Sequence, residues 1–522
     1  MSPSLETAIR PFGETGTVTV WGETARVTVT YDELARLGAA AAAALRDKGG
    51  ARPGSSVAVA LQNDLGSVSA LLGAWMAGCT VVSLPPAPRG VGATPYAEAF
   101  TRVLDRLDCG LVVGGTKVRS LLGAGRSTLP ADIPLKTGSV GSDEALPRRA
   151  LVQFTSGSTG PPKGVVVTGE SLAGHVSAIC ERLEVRHGAE SVVSWLPLFH
   201  DMGLVGFFLS GLFARSDLLL ARPDDFIRNP RSWLDACSER GCTISGAPNF
   251  AFRLAARALG HATRRRDLSK LRWCLCGSER VDWDTLSVFH AATKDHAMAW
   301  SALTPVYGLA EATLAVSIPP AGDGPQKDSA GRVLLGTPVP GMEVRGESGV
   351  LHLRGPWLLD AYVSADGYVD PKTPDGWFET SDAGAVDSEG RIVVAGRTDN
   401  VIVVRGRNIH AEDVEEVALR AASGVVGRVA AFSAPDRDDT FCVAVEVVDR
   451  AATPEAIAGK IRLELTRSLG ITVGDVFVGR ALALPSTTSG KPIRSRCRDL
   501  VADGEWPNRR VVAVRGRRPV AR

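Results

Sequence analysis

Residues 151–167 read LVQFTSGSTGPPKGVVV, a loop of glycine, serine and threonine closed by a lysine between two apolar runs. Small residues at this density let several backbone N–H groups turn toward one anion. The hydroxyls of Ser156, Ser158 and Thr159 add donors, and Lys163 adds a point charge. The chain has ten lysines among 59 basic residues, so a lysine at this position is informative. A Walker loop joins a strand to a helix and ends in Gly-Lys-Ser/Thr. Here Lys163 is followed by Gly164 and the β-branched run Val165, Val166, Val167, so the loop joins strand to strand. The chemistry indicated is phosphate binding on a scaffold other than a P-loop. Taken alone, the same residues also fit a surface loop with no ligand.

Further stretches follow in a fixed order: WLPLFHDMGL (195–204), CGSERV (276–281), VYGLAEAT (306–313), TSDAG (380–384), GRTDNVIVVRGRNI (396–409) and PSTTSGKPIR (485–494). With TSGSTGPPKG (155–164) they resemble the signature segments of the acyl-adenylate-forming superfamily, which holds acyl-CoA synthetases, adenylation domains and luciferases. The resemblance covers nearly the whole chain. WLPLFHDMGLVG and SGAPNFAF look most similar to the fatty-acyl-AMP ligase branch.

The resemblance implies two half-reactions. A carboxylate attacks the α-phosphorus of ATP to give acyl-AMP and pyrophosphate, and a thiol then takes the acyl group. The first step needs in-line positioning and neutralised phosphate charge. By resemblance, Thr155, Ser156, Gly157, Ser158, Thr159, Gly160 and Lys163 hold the phosphates. Gly277, Ser278 and Glu279 flank the adenine, Tyr307 offers it a flat face, and Gly308 is a further expected nucleotide contact. Asp382 accepts from the ribose hydroxyls, with Arg397 beside ribose or phosphate. Glu311 is the expected Mg²⁺ carboxylate, a hard ligand for a hard cation. Lys491 is the expected donor to charge developing on the carboxylate and α-phosphate. His200 falls at the junction of acyl tunnel and nucleotide site. Trp195, Phe199, Met202, Phe207 and Phe250 are the expected acyl-pocket residues, although core packing explains such residues equally well. Two positions depart from the family pattern: Ala310 stands where a threonine usually precedes the glutamate, and Ser381 where a glycine precedes the aspartate.

The acceptor is read from two features. Fatty-acyl-AMP ligases typically carry an extra segment before the ribose aspartate, and pass the acyl group to a carrier protein. Residues 358–382 run compactly here, with no room for a sizeable insert. Gly406 matches the glycine beside the pantetheine channel of CoA ligases, where a Cβ would crowd a thin thiol arm. The expectation is therefore a carboxylic acid–CoA ligase using ATP, Mg²⁺ and CoA. The alternative is an acyl-AMP ligase loading an acyl carrier protein in natural-product biosynthesis. A catalytically silent acyl- or nucleotide-binding protein is a third reading, against which Lys491, Glu311 and Asp382 together argue.

These residues need elements to hold them. Thr30-Tyr31-Asp32-Glu33 is a capping box opening an alanine-rich helix that Gly49 and Gly50 end. Residues 56–61 read as a buried strand, 71–78 as helix and 79–84 as strand. This alternation continues to about residue 320 and argues for α/β layers. From 333 to 394 short β-like runs are split by Gly, Pro and Asp turns. FCVAVEVV then reads as strand, and Thr453-Pro454 as the N-cap and first residue of a helix ending near Gly470. The expected architecture is a large α/β N-terminal domain, 1–396, with a β-rich distal part. A small mobile α+β domain, 397–522, is expected to follow, with its hinge at Asp399.

At 522 residues the chain is long enough for more than one core. Its net charge of +2 gives no reason to expect nucleic acid, and the basic stretch 509–522 reads as a solvated tail. Nine scattered cysteines suggest neither a disulfide framework nor a zinc site, which suits a reducing cytoplasm. There is no signal pattern at the N-terminus and no apolar run long enough to span a bilayer. The residues carry no signal for an oligomeric state.

Overall fold

The computed structural model describes residues 16–21, 25–86, 93–131, 146–155, 163–260, 264–404, 407–435, 437, 440–448, 452–480, 483–486, 492–504, 506 and 511–514. The expected α/β layering is observed. One sheet of eight described strands is ordered Gly367–Val369, Ala361–Ser364, Lys163–Thr168, Arg149–Thr155, Thr80–Leu84, Ser56–Ala60, Leu111–Val113, Ser127–Leu129. A second, of seven, is ordered Leu303–Pro305, Trp273–Gly277, Ile244–Pro248, Ser191–Ser194, Asp217–Leu220, Thr17–Trp21, Arg26–Thr30. Parallel strands buried on both faces read as continuous apolar runs, and Ser56–Ala60 and Thr80–Leu84 are buried at every residue.

The antiparallel pair Arg149–Thr155 and Lys163–Thr168 interrupts the parallel order, with Thr155 opposite Lys163. The loop between them joins strand to strand, as its flanks predict. Onto the outer edge of Lys163–Thr168 is laid the hairpin Ala361–Ser364/Gly367–Val369, with Tyr362 opposite Val165. A four-stranded sheet, Glu343–Glu347, Val350–Arg354, Phe378–Val386 and Ile392–Arg397, follows where short β-runs were expected.

Helix Tyr31–Asp47 opens on the predicted capping box. Thr30 Oγ1 accepts from the Glu33 N–H at 3.1 Å, and Glu33 Oε2 accepts from the Thr30 N–H at 2.8 Å. The next helix starts earlier than residue 71. It runs Leu65–Met76, because Asp64 caps it by accepting from the Ser67 N–H at 2.7 Å. The glycine- and serine-bearing first turn hid that start. Pro454–Leu469 begins at Thr453 and ends on Gly470 in the left-handed conformation, as read. Met202–Leu209 is wound as a π-helix, which its apolar composition did not reveal.

One apolar core runs from Val18 to Ile392, and a separate one gathers residues from Ile402 to Val478. All nine cysteines are free and buried. Among the described residues no helix is long and apolar enough to cross a membrane. Thr30→Ala removes the reciprocal cap and should lower stability by about 1 kcal/mol. The midpoint of the first denaturant transition reads this loss, and Thr30→Ser should keep the wild-type midpoint.

Candidate active site

Three connections converge beside the edge of the eight-stranded sheet. The first is marked by Thr155 and Lys163, paired on either side of positions 156–162. Residues 156–162 lie outside the described residues, so Ser156, Gly157, Ser158, Thr159 and Gly160 receive no structural account. Lys163 is exposed at the start of its strand, with Nζ 5.8 Å from the centre of the Tyr362 ring.

The second is the tight turn carrying Glu311. Gly308 and Ala315 are antiparallel partners, and Leu309 N–H donates to Leu314 O at 2.8 Å. A Cβ on Gly308 would lie 2.1 Å from Leu314 O, so only glycine closes this turn. Thr313 takes φ +63° and donates its hydroxyl to Trp357 O at 2.8 Å. His175 Nε2 accepts from the Ala315 N–H at 2.9 Å. The Glu311 carbonyl accepts from Leu359 N–H at 2.8 Å, which ties the turn to the strand that follows. On that strand, Tyr362 donates its hydroxyl to Glu311 Oε1 at 2.8 Å. Burial raises the Glu311 carboxyl above the usual carboxylate range; the Tyr362 hydrogen bond and Arg397 oppose this, and Asp382 adds to it.

The third is the strand pair carrying Asp382 and Arg397, which are directly opposed. Tyr307 is buried at 7 % exposure and donates its hydroxyl to Asp382 Oδ2 at 2.6 Å. Burial first, then Asp382, holds that phenol well above its usual range, so it remains a neutral donor. Thr380 Oγ1 accepts from the Asp382 N–H at 3.0 Å. Arg397 is half-exposed and lies 3.5 Å from Asp399 in the turn Thr398–Asn400.

The expected adenine-side segment leaves the strand Trp273–Gly277. A Cβ on Gly277 would meet Val306 at 2.7 Å. Ser278 takes φ +63° and donates to Met202 Sδ at 3.2 Å, and Glu279 Oε1 accepts from the Phe250 N–H at 2.5 Å. This segment is thereby joined to two of the expected acyl-pocket residues. Trp195 is buried, stacked on Phe226 at 3.9 Å and edge-on to Phe250. Phe207 is 1 % exposed, whereas Phe199, His200 and Phe250 are half-buried. Gln153 Nε2 donates to Phe199 O at 2.5 Å, fixing the chain just before His200. Lys491 and Gly406 lie outside the described residues.

Sequence reading missed Tyr362, the Asp382-holding role of the Tyr307 hydroxyl, and His175. Period-two alternation in AYVS places Tyr362 and Ser364 on one face of a strand, but their partner is 51 residues away for Tyr362. Nothing local could pair them.

The model for the family described as "AMP-binding enzyme" matches residues 14–363. The chain belongs to the AMP-binding enzyme family, the adenylate-forming ligases. Among its relatives in this family, the "Putative acyl-CoA synthetase" of Caulobacter vibrioides is 30 % identical over 508 residues, covering 88 % of this chain and 87 % of that one. The long-chain-fatty-acid–AMP ligase FadD26 of Mycobacterium tuberculosis is 29 % identical over 518 residues, covering 85 % and 87 %. A solved structure from structural and functional studies of fatty acyl-adenylate ligases from E. coli and L. pneumophila superposes with a TM-score of 0.83 at 24 % identity, covering 96 % of this chain and 98 % of that one. The fold is thus shared over 96 % of this chain.

Gly308→Ala should destabilise the Glu311 turn by roughly 1–3 kcal/mol, because a backbone carbonyl cannot move aside cheaply. Hydrogen exchange over residues 307–315 should rise sharply, and unchanged protection there would contradict the close approach.

Proposed function

We propose that the protein activates a lipophilic carboxylic acid as acyl-AMP, with release of pyrophosphate, and then transfers the acyl group to CoA. The observation that carries this reading is the pair of tyrosine–carboxylate hydrogen bonds, Tyr362 to Glu311 and Tyr307 to Asp382. In this reading they orient one carboxylate for a cation and the other for a ribose, near the strand pair Arg149–Thr155/Lys163–Thr168.

In this reading the loop from Thr155 to Lys163 holds the triphosphate, and Lys163 neutralises part of its charge. Asp382 accepts from the ribose hydroxyls, oriented by Tyr307 and by its own N–H bond to Thr380. Arg397, opposite Asp382, adds positive charge. Gly277, Ser278 and Glu279 border the adenine, and Met202 and Phe250 link that border to the acyl side, where His200 sits. Glu311 fits a magnesium ion brought in on ATP. It is a half-buried oxygen ligand whose ionised form needs a nearby positive charge. Among the described residues no group of three or more His, Cys, Asp or Glu is placed to hold a metal, so Glu311 would share the ion with phosphate oxygens. When bound, the ion screens the phosphate charge that repels an incoming carboxylate. Lys491 supplies the donor for charge developing at the α-phosphate. We place the domain division at 396/397 and the hinge at Asp399, which agrees with the separate apolar cores on either side.

CoA is favoured as acceptor by the direct path from Leu358 to Asp382. A short hairpin, Ala361–Val369, leads to the strand Phe378–Val386 with only eight residues between them, and carries no added segment. The second reading, loading of a carrier protein, is favoured by the likeness to FadD26, a fatty-acid–AMP ligase.

Two outcomes test this. With a panel of acids, ATP and Mg²⁺, wild-type protein should release pyrophosphate and form an acyl-CoA detectable by mass spectrometry without any carrier protein. Accumulation of acyl-AMP with CoA present, discharged only by a phosphopantetheinyl carrier, would replace this acceptor with the second reading. In Tyr362→Phe the ionised Glu311 loses a hydrogen bond, so its carboxyl rises further. The ionised form is already lost as pH falls through a raised value. The acid limb of the pyrophosphate-release profile should therefore move to higher pH, by roughly one unit, with the alkaline rate little changed.

A further inference from the structure

The described residues on either side of positions 487–491, which include Lys491, are tied to one another. Ser486 bridges to Pro492, and Ile493 N–H donates to Pro485 O at 2.9 Å. Arg494, the first residue of the helix Arg494–Ala502, anchors one arm. Its guanidinium grips Glu415 in two bonds of 2.7 Å, on helix Ala411–Ala421. Glu446 anchors the other arm by accepting from the Leu484 N–H at 2.8 Å. The bidentate Glu415 pair already satisfies the charge of Arg494.

A second carboxylate nevertheless reaches the same arginine. Glu412, 14 % exposed and one helical turn before Glu415, lies with Oε1 3.2 Å from Arg494 Nη2. The same oxygen accepts from Asn400 Nδ2 at 2.8 Å, in the turn that follows Arg397. Its other oxygen is buried without a hydrogen-bond partner among the described residues. That oxygen lies over Gly396, where a Cβ would approach it to 2.8 Å. Gly396 is the cross-strand partner of Ala383, next to the Asp382–Arg397 pair. A carboxylate placed this way is costly for a purely structural anchor, because one oxygen is desolvated without compensation. The placement makes sense for a residue whose task is to join the hinge turn to the lysine-bearing loop.

The geometry points to Glu412 as a positioning residue that couples the 398–400 turn, through Arg494, to the loop carrying Lys491. This rests on the reading that Lys491 serves adenylation and not thioester formation. Glu412 touches neither substrate nor nucleotide and acts only through Arg494 and Asn400.

Glu412→Ala should lower pyrophosphate release by about 10–100-fold, the scale of an ångström-size misplacement. Thioester formation from preformed acyl-AMP should stay near wild type. Glu412→Gln keeps an acceptor for both partners and should recover most of the loss. An equal fall in both half-reactions, or no fall in either, would overturn the assignment. A readout independent of activity is hydrogen exchange over residues 485–493. Asn400→Ala should raise exchange there in the wild-type background and add nothing in Glu412→Ala. If exchange over 485–493 ignores Asn400→Ala, the coupling is absent. Should wild-type protein release no pyrophosphate with any acid, the proposed activity fails, and the exchange measurement alone decides the coupling.

Discussion

A carboxylate held in a partly desolvated turn is the constraint on which the site depends. Glu311 pays for burial through a raised carboxyl, and three features keep it in place. The turn is closed by a glycine that no other residue can replace, its carbonyl is gripped by Leu359 N–H, and Tyr362 donates to its side chain. His175 completes the enclosure. Burial pushes its imidazole down to about 3, so it stays neutral and its Nε2 remains an acceptor for the Ala315 N–H. A protonated ring would present a donor to a donor and open the turn.

Placement of Tyr362 requires the sheet. The hairpin that carries it comes from the chain after residue 360, yet it is laid on the edge of a strand beginning at Lys163. That edge exists only because an antiparallel pair is inserted into an otherwise mostly parallel order. One insertion thus brings the phosphate-loop flanks, the Glu311 turn and Tyr362 to a common point. The Asp382–Arg397 strand pair joins them through Tyr307, whose phenol stays neutral because it is buried beside a carboxylate.

Charge also links the two largest apolar cores. Arg280, just after the Gly277–Glu279 segment, pairs with Asp413 and lies 3.7 Å from Glu416 on helix Ala411–Ala421. Arg420 of the same helix lies 3.7 Å from Asp284. These pairs border a cleft of about 320 Å³. Burial, with Asp282 nearby, raises the Glu416 carboxyl to about 7 against the pull of Arg280. The helix therefore faces the large core through Asp413 and Glu416, and Arg494 through Glu412 and Glu415. Its four acidic residues are divided between two tasks by helical periodicity.

Local physics made much of this legible from residues alone. The capping box at Thr30, the N-cap at Thr453 and the β-branched run after Lys163 act within a few positions, so their elements followed directly from the sequence. The ordered motifs likewise located the segments of Glu311, Asp382 and Arg397, because chain order is a property of sequence. The helix start at Asp64 was less visible, since a cap followed by glycine and serine carries a weak apolar signal. Pairing across the fold was invisible. Tyr362 with Glu311, Tyr307 with Asp382, and Glu412 with both Asn400 and Arg494 are contacts across 51, 75, 12 and, by subtraction of residue numbers, 82 positions. Sequence determined which residues could carry charge, donate or turn. Only tertiary structure decided which of them meet, because hydrogen bonds reach about 3 Å and depend on sheet order and register that no local pattern encodes.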